Sequence, residues 1–221
     1  MTKRETGRAA CLAAMIMVIA AGTMSYAPAA IAGDHQSRSD VFWWWDQGGT
    51  TLGSSKLVRT PNGIMAVFKT SALQPGHAMT LWFIVFNNPA ACAGNPCTVE
   101  ADFENPAVMA DFLVAGGNVT GGGRTTVAGH LLVGDKSGSG YNEFGLPEFA
   151  VGLVSPMTAE VTLGLHSHGP AQTGAVLSEQ ISSYLGGCLV FLGPGGFAAG
   201  PGDIPVNDGE CSTMQASHHQ P

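Results

Sequence analysis

The chain has 221 residues, 45% of them hydrophobic and only 11% charged, with a formal net charge of −7. Beyond Lys3, Arg4 and Arg8 its few lysines and arginines are scattered singly, so the clusters of positive charge that nucleic acid or anionic lipid would need are missing there. Neither class of partner is expected.

In chain order, Lys3, Arg4 and Arg8 precede an apolar run from Ala9 to Met24, and Ala30-Ile31-Ala32 supplies a small-x-small cleavage pattern. This reads as a signal peptide over residues 1–32, removed on export, with 33–221 as a single domain. Without that segment, which holds one acid and three bases, the net charge becomes −9. The apolar run is short for a membrane anchor, which wants about 20 residues. No later segment is long and uninterrupted enough to span a bilayer. Four cysteines follow the leader: Cys92, Cys97, Cys188 and Cys211. An even count in an exported chain predicts two disulfides, and proximity favours Cys92–Cys97 and Cys188–Cys211. The rival, a zinc site, is poorly served by this spacing.

The mature chain opens on a polar stretch and then Val41-Phe42-Trp43-Trp44-Trp45; some of these aromatics are expected to pack under the first strands and one or two to cover a sheet edge, the alternative being a sugar- or membrane-touching surface. Lys56–Thr60 and Ile64–Thr70 flank Pro61-Asn62-Gly63, a turn signal, and predict a hairpin. His77–Phe86 is almost continuously apolar, as in a central strand covered on both faces. Glu100, Asp102 and Glu104 read as a solvated acidic loop, because a calcium loop's glycine and closing glutamate are missing. Leu113–Thr120 and Arg124–Val133 suggest a second hairpin across Gly121-Gly122-Gly123, and Phe149–Val154 a short strand. Val176, Leu177, Ile181 and Leu185 recur at helical spacing, giving one short helix that Gly186-Gly187 stops. Leu189–Leu192 and Met214–His218 are the last strand candidates. Short alternating segments with a single helix predict an all-β fold, a disulfide-stabilised antiparallel β-sandwich or flattened barrel.

Chemistry concentrates at Val161–Ala171. Val161, Leu163 and Leu165 share one parity, and Thr162, Gly164, His166 and His168 the other. On a strand the aliphatic set enters the core and the two histidines emerge together on the opposite face, beside the Gly169-Pro170 turn. Two imidazoles so placed can hold copper or zinc, with His130, His77 or His218 as further ligands. The competing role is structural, each ring hydrogen-bonded to backbone. His218-His219, next to the end of the chain, reads as adventitious. Nucleophilic catalysis has no support: there is no GxSxG elbow, and Ser167 faces away from its histidine neighbours. The acids lie mostly in loops, poor placement for a glycosidase pair.

His166-Ser167-His168-Gly169-Pro170-Ala171, with Gly174 and Val176 after it, resembles the His-x-His-Gly-x-Ala element of the chordin-type (CHRD) domain. That resemblance implies a secreted, β-rich module without an established enzymatic activity. Pro75-Gly76-His77, Thr80-Leu81-Trp82, Phe86-Asn87-Asn88-Pro89, Cys92, Cys97 and Gly186-Gly187-Cys188 are similar to a group of exported bacterial proteins without assigned activity. Copper/zinc superoxide dismutase also carries His-x-His on a β-strand, but its histidine-rich ligand loop has no counterpart here. The expectation is an exported, non-enzymatic binding or structural module whose partner is a protein or small ligand. Its Gly169-Pro170 turn and His166/His168 pair would form the functional surface. The alternative is a periplasmic copper or zinc protein built on that pair.

Overall fold

Ten strands alternate with short helical turns in the computed structural model, which describes residues 35–191, 197–199 and 211–221. The expected leader lies outside the described residues, and the described residues all fall in one compact unit. The strands are β1 (His35–Trp43), β2 (Gly53–Thr60), β3 (Gly63–Thr70), β4 (His77–Phe86), β5 (Ala110–Val119), β6 (Thr125–Leu132), β7 (Glu160–Pro170), β8 (Leu189–Phe191), β9 (Phe197–Ala199) and β10 (Ser212–His219). One-turn helices α1 (Val99–Asp102) and α2 (Gly140–Glu143) accompany the one longer helix, α3 (Gly174–Gln180). Among the described residues no helix is long and apolar enough to cross a membrane.

Eight strands form one antiparallel sheet in the order β5-β4-β7-β10-β1-β2-β3-β6, and β8 pairs with β9 apart from it. β1 joins the two halves: its His35–Val41 segment pairs with β2, while Phe42 and Trp43 pair with β10. The sheet rolls until its end strands touch. A side chain on Gly129 of β6 would strike the Ala115 carbonyl of β5, and one on Gly116 the Ala128 carbonyl. The architecture is all-β, as expected, and is nearer a flattened barrel than two separate sheets.

The β4 strand and the β2–β3 hairpin lie where the pattern puts them. β5 and β6 do not form the expected hairpin: β5 bonds β4 and β6 bonds β3, so the glycine run between them spans the closure of the barrel. Phe149–Val154 is no strand but a one-turn 3-10 segment (Pro147–Phe149) followed by a single bridge at Leu153. β10 is inserted between β7 and β1, in the middle of the sheet.

Alternation along β4 and β7 divides the core in two. Leu81, Phe83, Val85, Val161, Leu163 and Leu165 face the barrel interior with Leu57, Phe68 and Leu113. The other face of β4 presents Ile84 and Phe86 to an outer layer containing Val108, Trp44, Phe103 and Phe112. Buried carboxylates tie that layer down. Asp111 accepts from Ser139 Oγ and from the backbone of Phe112, Val151 and Gly152 at 2.7–2.9 Å. Asp102, expected in a solvated loop, is buried and accepts from the N–H groups of Ala93 and Thr98, both at 2.7 Å. It clasps the loop closed by the Cys92–Cys97 disulfide, and Cys97 N–H donates to Glu160 on β7.

A buried histidine pair behind an aromatic cleft

The parity read from β7 holds: His166 and His168 lie on one face, ring centroids 4.8 Å apart, opposite the interior leucines. Their exposure does not follow. His166 is 2% exposed and His168 fully buried, because the segment after α3 folds back over them. Gln180 anchors that segment, donating from Nε2 to the carbonyls of His168 and Pro170. Glu143 holds its far end, accepting the N–H groups of Tyr184 and Leu185. The final turn needs glycine, since Gly187 has φ +70° and a side chain on Gly186 would strike the Glu179 backbone. The pair is therefore not the surface expected of it. The Gly169-Pro170 turn is an edge fitting: Gly169 is buried with φ 73°, and Pro170 pairs with His77.

The two rings differ in chemistry. His168 is fully partnered: Nδ1 lies 2.8 Å from the Gly186 carbonyl and Nε2 2.8 Å from Thr80 Oγ1. A carbonyl only accepts, so Nδ1 carries the proton and Nε2 accepts from the Thr80 hydroxyl. That hydroxyl oxygen in turn accepts from Trp82 Nε1 at 2.8 Å. Burial lowers the His168 pKa to about 4, against a smaller rise from the Gly186 bond. His166 has no such partners. Its Nδ1 is unsatisfied among the described residues, and Nε2 faces only Cys188 Sγ, 4.0 Å away. Burial, then the neighbouring His168, hold its pKa well below the ordinary value. Both rings are thus neutral at physiological pH.

Cys188 Sγ is also 3.4 Å from His168 Nδ1, so one sulfur and two imidazoles form a compact buried triad. Here Cys188 is bonded to Cys211, so both expected disulfides are present. His77 and His130 do not join. His77 opens β4, half-buried opposite Pro170, and His130 is exposed on β6 opposite Met65. His218 is likewise engaged elsewhere, bonded to Thr162 Oγ1 and Gln47 Oε1 at 2.8 Å each.

On the other side of the disulfide lies a cleft of about 530 Å³, which no motif announced. Trp44, Trp82, Phe103, Phe112, Phe144 and Tyr184 wall it, and Gly164 of β7 lies at its floor. Tyr184 separates the cleft from the histidines, its ring 4.4 Å from His166 and edge-on to Trp82 at 5.3 Å. Glu100 is the one charged side chain in the lining, with Ser212 and Thr213 as hydroxyls and Cys211 at the inner end. The sequence signal that could have found it is the β7 parity itself: Gly164 lacks a side chain on the histidine face, and β4 offers Trp82 and Ile84 beside it.

No protein-family model matches the chain, and neither does any curated protein or solved structure.

Proposed function

We propose that this is an exported, non-enzymatic binding module, and that the aromatic cleft takes a small, flat, largely apolar ligand. The cleft carries the reading. It has the volume of a small-molecule site, six aromatic side chains around it and few polar groups to fix orientation. Much of the wall is already rigid. Phe112 packs against Trp82, Tyr141 and Tyr184 with centroids 5.3–5.6 Å apart, so little side-chain freedom is lost on binding. Two disulfides suit an oxidising compartment, periplasmic or extracellular. The likeness of His166–Ala171 to the chordin-type element points the same way, to a secreted module.

The test is titration with the neutral aromatic amine N-phenyl-1-naphthylamine, followed by tryptophan quenching. One saturable site per chain is expected. A side chain at Gly164 would start 3.3 Å from Ile84 and 3.4 Å from Thr213, so Gly164→Leu should obstruct the floor of the cleft. That variant should weaken binding about tenfold or more, roughly the worth of 1.4 kcal/mol. Non-saturable binding, or unchanged affinity in a folded Gly164→Leu protein, would refute the assignment.

A further inference from the structure

We propose that opening the Cys188–Cys211 disulfide converts the His166–His168–Cys188 triad into a copper(I) site. It is a second site, separate from the cleft reading, and it rests on donor geometry. A first-row ion about 2.0–2.1 Å from an imidazole nitrogen and about 2.3 Å from sulfur holds N and S about 3.6 Å apart at the tetrahedral angle and about 3.8 Å at the trigonal angle. The observed separations from Cys188 Sγ, 3.4 Å to His168 Nδ1 and 4.0 Å to His166 Nε2, bracket those values. His166 supplies the second observation. Its buried Nδ1 has no partner among the described residues, and its Nε2 faces a sulfur that, in the disulfide, has no proton to share.

The chemistry selects the metal. A thiolate with two imidazoles is a soft set, and no fourth His, Cys, Asp or Glu joins it among the described residues. Structural zinc wants four ligands, whereas a three-donor set of one thiolate and two imidazoles suits copper(I), which thiolate selects and imidazole accepts. The disulfide keeps the site shut when oxidised, since Cys188 then offers no thiolate. Cys211 borders the cleft, is half-buried, and takes φ 57°, a strained left-handed value for a residue other than glycine.

A dithiol reductant balances the opening step. One of its thiolates attacks Cys211 Sγ, the Cys188–Cys211 bond breaks, and Cys188 leaves with the electron pair and takes a proton. The second thiol of the reductant then displaces Cys211 as a free thiol and closes the reductant's own disulfide. Two electrons and two protons pass in all. Copper(I) binds without changing oxidation state, releasing the Cys188 proton to solvent. His168 gives up its bond to Gly186 and moves its proton to Nε2, where Thr80 Oγ1 accepts it after its own hydroxyl hydrogen rotates away from the ring.

The experiment supplies copper(I) as its acetonitrile complex, without oxygen, to the full protein carrying Cys92→Ser and Cys97→Ser, so that the other cysteine pair contributes no thiol. Copper per chain is measured after desalting against a copper(I) chelator, with the thiolate–copper absorption in the near ultraviolet. About one copper per chain is expected after dithiothreitol and less than about a tenth of that before it. Cys211→Ser should bind one copper without reductant, Cys188→Ser should bind none, and His166→Ala should bind at least about tenfold more weakly. If Cys211→Ser does not fold, the reduced and oxidised forms of the parent still decide. Equal retention in both forms, none in the reduced form, or full retention in Cys188→Ser would overturn the proposal. Naphthylamine binding to the oxidised protein is measured separately, so either site can fail without the other.

Discussion

Two histidine pairs lie on the adjacent strands β7 and β10, and they have opposite characters. At the C-terminal end of β10, His219 belongs to a hydrogen-bond chain with one direction. Ser55 Oγ donates to the Ser39 carbonyl, so His219 Nε2 donates to Ser55 at 2.8 Å and Nδ1 accepts from Ser37 at 2.9 Å. Buried Arg59 feeds the same chain at Ser37 and donates to the carbonyls of Ala159 and His219. This corner locks the C-terminal strand into the middle of the sheet. At the other pair, His168 is satisfied but His166 is not, and its neighbours are a disulfide and an aromatic cleft. Both ring nitrogens of His219 are paired, as buried polar groups normally are, although Arg59 Nε beside them has no partner among the described residues. His166 Nδ1, beside Cys188, is unpaired among the described residues, and the proposed copper(I) site rests on that contrast between the two rings.

Acid should have the largest effect, and on both pairs. Burial lowers His219 to about 4, with Arg59 and then His218 adding to it, and lowers His168 to the same range. A depressed histidine takes up its proton at about 6.5 in the unfolded chain but only near 4 in the fold. The unfolded state therefore binds more protons across that window. Stability is full above about pH 6.5 and falls as pH drops towards 4, by a few kcal/mol for each such histidine. Glu143 and Glu160, raised chiefly by burial, oppose the fall near its acid end. Urea midpoints from pH 7.5 to 4.5 test this, and a flat profile would refute it.

Next in size is His219→Ala. It empties a buried site and strands Ser37, Ser55 and part of the Arg59 contact, which should cost about 3 kcal/mol at pH 7.5 by urea unfolding. A loss below about 1 kcal/mol would mean that the corner is not the lock described.

Legibility followed the range of the interactions. The β4 strand, the β2–β3 turn and the β7 parity are written in neighbouring residues, through period-two alternation and Pro-Asn-Gly chemistry. The cover over His166 is not, because it depends on Gln180 and Glu143 reaching backbone groups that no periodicity links to them. Gln180 sits among the polar residues of its helix yet is fully buried. β5 and β6 mislead for a related reason: adjacent strands joined by glycines look like a hairpin, and only the closed barrel shows that each has another partner. The structural role of His218 and His219 is not legible locally, because the residues that bind the pair lie more than 50 positions earlier.

The smallest expected effect is the sharpest test of the contrast. His166→Phe, in the oxidised protein at pH 7.5, removes a buried imidazole with an orphaned nitrogen and keeps a ring against Tyr184. An unsatisfied buried polar group costs about 1–3 kcal/mol, which the phenyl ring recovers. Its greater bulk gives back about 1–3 kcal/mol in a packed site. The two nearly cancel, so the urea midpoint should shift by no more than about 1 kcal/mol either way, against the large loss at His219. A stable His166→Phe protein that cannot retain copper after reduction would separate the two pairs by function. A loss above about 2 kcal/mol would place His166 with His219, as structure.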